Sequence, residues 1–168
     1  MKKATNNNLA SNKIGSEVVT LGCRLNAYES DKIKAITEKV KADNLIVVNS
    51  CAVTTEAIRQ TRQQIRKAHR RNPEARVVVT GCAAQIDPDQ FHDMPEVSAV
   101  LGNIEKLSEK DWRAIDKSTD RQIRVNDIMS VKETAGNLLE TYGERARAFL
   151  QIQSGCCLLY TSPSPRDS

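Results

Sequence analysis

The chain has 168 residues, 39% of them apolar and 4% aromatic, with 25 Lys and Arg against 21 Asp and Glu, a net charge of +4. That is the length of about one ordinary domain, with a core that aliphatic side chains must build, and a charge excess too small to mark a nucleic-acid binder by itself. No apolar run approaches the roughly 18 residues of a membrane span, and Asn6, Asn7 and Asn8 follow Met1-Lys2-Lys3 where a signal peptide needs an apolar stretch. A cytoplasmic protein is expected. In that compartment its five cysteines stand as reduced thiols, to be read as metal ligands, a nucleophile or inert buried groups.

Residues 1–16 are polar and without periodicity, a disordered lead-in. From residue 17 a pattern repeats. Val18, Val19 and Leu21 lead to Gly22 and Cys23; Leu45, Ile46, Val47 and Val48 lead to Asn49, Ser50 and Cys51; Val77, Val78 and Val79 lead to Thr80, Gly81 and Cys82. Short β-branched runs bounded by turn residues are the mark of strands buried on both faces. A fourth such run covers 99–101 and is followed by Gly102 and Asn103.

Helical patterns lie between the runs. After Cys23, Asn26 is placed to cap a helix with Glu29 three residues on, and Ile33, Ile36 and Val40 then share one face. After Cys51, Thr54 is placed to cap a second helix, with Glu56 in its first turn and Ile58, Ile65 and Ala68 as its apolar seam. Pro73 stops it near Arg71. A further helix is expected over about 104–115, with Trp112 as a core anchor.

Strand and helix in alternation predict an α/β domain over 17–116: an open parallel sheet with flanking helices, doubly wound and Rossmann-like. Residues 117–146 read as a linker with partial structure and one strand candidate at 122–125. Residues 148–152 read as another strand, the truncated start of a second domain at about 147–156, leading to Gly155 and Cys156.

Parallel strands place their C-terminal ends at one edge, and ligand sites of open α/β sheets collect in the crevice there. Cys23, Cys51 and Cys82 each lie just past such an end, about one βαβ unit apart. The helices after Cys23 and Cys51 point their N-termini at the same place, which favours thiolates, and Gly22 and Gly81 leave room near the backbone. Three thiolates suit an iron–sulfur cluster with one iron not held by the protein; zinc with an outside fourth ligand, inert core thiols and dithiol redox chemistry are the competing readings. His69 and His92 lie away from the strand ends. No residue presents itself as a general acid or base.

The second helix also carries Arg59, Arg62, Arg66, Lys67, Arg70 and Arg71. Four of its arginines form a stripe that either holds nucleic-acid phosphates or is a solvated face, with no aromatic interleaved for base stacking. Asn26 and Asn49 flank ligand cysteines, as hydrogen-bond donors around a cluster or as turn and cap residues.

The segments TLGCRLNAYES (20–30), VVNSCAVT (47–54) and VVTGCAAQ (78–85) resemble the N-terminal domain of the radical S-adenosylmethionine methylthiotransferases, in particular the branch that modifies threonylcarbamoyladenosine in tRNA. AFLQIQSGC (148–156) is similar to the entry into that family's radical domain. The resemblance implies insertion of a methylthio group at C2 of the modified adenosine next to the anticodon. It implies an auxiliary [4Fe–4S] cluster on Cys23, Cys51 and Cys82, whose open iron carries the transferred sulfur. A second [4Fe–4S] cluster on a Cys-x3-Cys-x2-Cys motif cleaves S-adenosylmethionine to a radical, and a C-terminal domain binds RNA. Here Cys156 matches the first radical-motif cysteine, but positions 160 and 163 are Tyr160 and Pro163, and CLLYTSPSPRDS (157–168) resembles nothing in the family. That stretch reads as a flexible non-family tail, joined by truncation or read-through, and the fragment is expected to be inactive by itself. The alternative function is a non-catalytic α/β module that binds RNA or zinc.

Overall fold

The computed structural model describes residues 15–118 and 120–127. Residues 1–14, the strand expected at 148–152, Cys156, Cys157 and the tail lie outside the described residues.

The described chain runs β1 (Glu17–Thr20), α1 (Arg24–Val40), β2 (Leu45–Ser50), α2 (Thr55–Arg71), β3 (Arg76–Gly81), α3 (Cys82–Ile86), α4 (Asp89–His92), β4 (Ala99–Leu101), a 3-10 turn (Glu105–Leu107), α5 (Glu109–Lys117) and β5 (Gln122–Arg124). All five strands are parallel, in the order β1-β2-β3-β4-β5. The expected α/β open sheet is therefore the observed fold, and the candidate at 122–125 is its fifth strand. β2 is buried at every position and β3 at all but its first, which is why both read as continuous apolar runs rather than alternating ones.

Side chains alternate across the pleat, so β2 and β3 feed two cores. Ile46, Val48, Val77, Val79 and Val100 face α2, α3 and α4, where Ile65, Ala68, Ala83, Ala84 and Phe91 meet them. Leu45, Val47, Val78, Ala99 and Leu101 face α1 and α5, through Ile33, Trp112 and Ile115. Trp112 is 1% exposed and its indole N–H donates to the Lys106 carbonyl at 2.8 Å, as a buried indole requires.

Strand order follows chain order, so every crossover steps across the sheet in the same direction. Yet α1 lies on one face and α2 on the other. Two crossovers that step the same way over opposite faces have opposite hands, although nearly all such units are right-handed. The consequence for the site is direct. The chain leaves β1 toward one face and β2 toward the other, at the edge of the sheet where ligands of open α/β folds bind.

Two local expectations are met and one is corrected. Thr54 caps α2, its hydroxyl accepting from the Ala57 N–H at 3.1 Å, and α2 ends at Arg71 before Asn72 and Pro73. The single helix expected over 104–115 is instead a 3-10 turn and a separate α5. Ser108 sits between them in an extended conformation and caps α5 by accepting from the Asp111 N–H; a serine that caps interrupts the helix before it.

Candidate metal centre

The three cysteines follow three adjacent strands. The β1–β2 ladder ends with Thr20 opposite Asn49, and Leu21 extends it by donating to the Asn49 carbonyl at 3.0 Å. The β2–β3 ladder ends with Ser50 opposite Gly81. Cys23, Cys51 and Cys82 emerge at successive places along one edge, and none is in a disulfide. Cys23 is exposed, Cys82 is half-buried and Cys51 is 5% exposed. The three positions thus follow the C-terminal ends of the adjacent strands β1, β2 and β3.

Two glycines hold that rim close. Gly22 has φ +99°, and a Cβ built there would lie 2.6 Å from Cys51 Cβ and 2.8 Å from Cys51 Sγ. Cys51 therefore packs directly on the backbone just before Cys23. Gly81 has φ +94°, and its Cβ would lie 2.3 Å from the Ser50 carbonyl oxygen. Both conformations lie where side-chain-bearing residues are strained.

Asn26 is the chief polar tie. It lies inside α1, 1% exposed, and is not the helix cap: α1 begins at Arg24, and Cys23 stands at the cap position without a side-chain cap bond. The Asn26 amide donates to the Leu21 carbonyl at 2.7 Å and the Ser50 carbonyl at 2.9 Å, and its oxygen accepts from the Cys23 thiol at 3.8 Å. One side chain thus links the loop after β1, the end of β2 and the first thiol. Asn49, fully buried, donates to the Asn26 carbonyl at 2.9 Å and to Ser30 Oγ at 3.1 Å, while its Oδ1 has no partner. Ser50 Oγ donates to the Thr80 carbonyl at 2.5 Å and accepts from the Ala84 N–H at 3.3 Å, which ties β2 to the start of α3 beside Cys82.

Glu29, expected in a capping box with Asn26, is instead part of a buried ion pair. It is buried and its carboxylate accepts from Lys106 Nζ at 2.6 Å, with the two side chains 9% and 1% exposed. Lys106 donates in addition to Asn103 Oδ1 at 2.8 Å. This ion pair fixes α1, and with it Cys23 and Asn26, against the turn after β4. The sequence marks Ser50 only as a turn residue and gives Lys106 no role. Ser50 precedes Cys51, a position that gives a weak signal, whereas Lys106 finds its partner 77 residues away, beyond any local pattern.

Neighbouring strands lie about 4.8 Å apart, so the outer two of three strands are separated by about 10 Å. A single zinc requires every sulfur within about 2.3 Å of one point. A cluster puts each thiolate on its own iron and so spreads its donors more widely than a single zinc does. Among the described residues no three His, Cys, Asp or Glu side chains are grouped to hold one metal ion. His69 lies in the last turn of α2, at the far end of that helix from Cys51, and His92 ends α4.

Residues 16–102 match the model of a family described as "Uncharacterized protein family UPF0004". The chain is 47% identical over 150 residues to the threonylcarbamoyladenosine tRNA methylthiotransferase MtaB of Rickettsia prowazekii, covering 89% of this chain and 35% of the relative. It is 32% identical to the enzyme of the same name from Bacillus subtilis, covering 82% and 32%, and 28% identical to a tRNA-2-methylthio-N(6)-dimethylallyladenosine synthase of Rickettsia typhi, covering 83% and 35%. The chain spans about a third of the length of these relatives. The family match takes in Cys23, Cys51 and Cys82 and more than half of the 168 residues: the chain belongs to the UPF0004 family, as a relative of the tRNA methylthiotransferases.

Proposed function

We propose that this chain is the cluster-bearing part of a tRNA methylthiotransferase of radical S-adenosylmethionine type. Cys23, Cys51 and Cys82 hold an auxiliary [4Fe–4S] cluster through three irons, and the fourth iron is left for an outside ligand. When bound, the group supplies the sulfur that becomes the methylthio substituent at C2 of threonylcarbamoyladenosine, next to the anticodon. The observation that carries the reading is the emergence of three cysteines past the ends of three adjacent parallel strands, in a chain related to enzymes named for this modification.

The protein's own part is positional. Gly22 brings backbone close to the Cys51 sulfur, Gly81 lets β3 end close against Ser50, and Asn26 holds the Cys23 and Cys51 segments together. Cleavage of S-adenosylmethionine belongs to a second [4Fe–4S] cluster. In this chain the pattern for that cluster stops at Cys156, with Tyr160 and Pro163 where further cysteines belong, so the 168 residues alone bind the auxiliary cluster without turnover. The site of action is the cytoplasm, where tRNA is modified.

The test is anaerobic reconstitution of the full chain with iron and sulfide. About four irons per chain are expected, with loss of most of them on Cys→Ser substitution at position 23, 51 or 82. Retention of zinc in place of iron, or metal content indifferent to all three substitutions, overturns the reading.

A further inference from the structure

The net charge of +4 is not spread over the molecule. α2 alone carries six cations, Arg59, Arg62, Arg66, Lys67, Arg70 and Arg71, against the single carboxylate of Glu56. Its net charge of five exceeds that of the whole chain, so the remainder is net negative. The inner face of α2 is closed by Thr61, Ile65 and Ala68, and all six cations are exposed on the other side. Arg59, Arg62, Arg66 and Arg70 recur at three- and four-residue steps and so lie in one row, about 16 Å long at 1.5 Å per residue.

The molecule neutralises this row incompletely. Arg59 pairs with Glu56, Arg71 with Glu17, and Arg66 stands 4.0 Å from Glu96. Arg62 donates to the neutral amide of Gln90 and Arg70 to the Arg66 carbonyl. Among the described residues no carboxylate forms an ion pair with Arg62, Lys67 or Arg70. The row begins about one turn beyond the cap of α2, which follows Cys51 by three residues, and runs from the cysteine rim down the flank of the sheet.

We infer that the outer face of α2 is a docking track for an RNA backbone, with Arg62, Arg66 and Arg70 on successive phosphates. This rests on the tRNA reading above and adds where the RNA lies. Five of the six cations are arginine, whose planar fork meets phosphate oxygens in pairs. No aromatic interrupts the row, so it positions the strand and does not read or stack bases. An RNA strand on this track reaches the rim at its Thr54 end, which places a base next to the cysteines while its neighbours' phosphates are held below.

The experiment is binding of a fluorescent anticodon stem-loop RNA to the full chain across a salt series, read by anisotropy. Wild type is expected to bind with affinity that falls steeply with salt. Each phosphate contact contributes about 0.7–0.9 to the slope of log affinity against log salt, so Arg62→Gln/Arg66→Gln/Arg70→Gln is expected to lower the slope by about 2–3. Lys34→Gln/Lys110→Gln/Lys117→Gln removes the same charge from exposed sites on the opposite helices and is expected to leave the slope nearly unchanged. A triple Arg→Lys variant keeps the slope and binds more weakly at fixed salt, and it serves if the Gln variant fails to fold. No RNA binding by wild type, equal slope changes for the two Gln triples, or competition by polyglutamate as strong as by RNA overturns the inference; the last outcome assigns the face to an acidic protein. Iron content, measured on the same samples, separates the two readings. The arginine variants retain full iron if the track is independent of the cluster, and a failure of Cys→Ser to alter iron strikes the cluster reading alone.

Discussion

Gly22→Ala perturbs the rim at one atom. Its native φ of +99° lies outside the small left-handed region open to side-chain-bearing residues, at a cost of about 1–3 kcal/mol. The new methyl would also meet Cys51 Cβ at 2.6 Å and Cys51 Sγ at 2.8 Å, against the roughly 3.5–4.0 Å of an ordinary carbon contact. Something must yield by about 1 Å. Cys51 is 5% exposed, at the end of a strand buried on both faces, and has little room to retreat. The loop carrying Cys23 must move instead, which strains the Asn26 bonds to the Leu21 and Ser50 carbonyls. A loss of about 2–4 kcal/mol in urea unfolding follows from strain and overpacking together. Iron retained after anaerobic reconstitution and desalting is expected to fall well below the wild-type value, because the first two donors no longer hold their spacing. Gly22→Ala with stability within about 0.5 kcal/mol of wild type and full iron retention would refute the account of Gly22 as the spacer between Cys23 and Cys51.

Lys106→Met leaves the Glu29 carboxylate buried without its cation, and chemical unfolding should report a loss of about 3–5 kcal/mol. Glu29→Leu/Lys106→Met, which removes both charges, should recover most of that loss; an additive double variant would contradict a coupled pair. Asn26→Leu removes both donors from the Leu21 and Ser50 carbonyls and is expected to cost about 2–4 kcal/mol, with iron retention impaired more than by Thr54→Ala, a cap loss of about 1 kcal/mol that does not touch the rim. Glu56 tests the electrostatics of the α2 track: hydrogen bonds from Arg59 first and then Gln60 hold its carboxyl down to about 2. A depressed folded-state value means that the clasp stabilises fully above the ordinary carboxylate range near 4.5 and is lost as pH falls from there through about 2. An NMR titration of the Glu56 carboxyl should show that midpoint in wild type and a return toward the ordinary range in Arg59→Gln.

Much of this architecture is written locally. Val77, Val78 and Val79 announce a strand buried on both faces because β-branched runs fit a pleated surface covered by helices. Thr54 and Pro73 mark the ends of α2 because each acts on backbone within a few residues. The placement of Cys23, Cys51 and Cys82 after strand ends needed only element boundaries, and Trp112 as core anchor only its bulk. Where local signals competed, they misled: Asn26 and Glu29 have cap-box spacing, yet Asn26 satisfies carbonyls of two strand ends and Glu29 takes the cation of Lys106, since a buried polar group goes to whatever partner burial brings. Periodicity identifies α1 and α2 as amphipathic but is silent on which face of the sheet each covers. That choice depends on the strand neighbours and on long-range packing of Ile33 against one side of β2 and Ile65 against the other. It is the choice that sends the chain after β1 and the chain after β2 to opposite faces, with Cys23 and Cys51 at the point where they part.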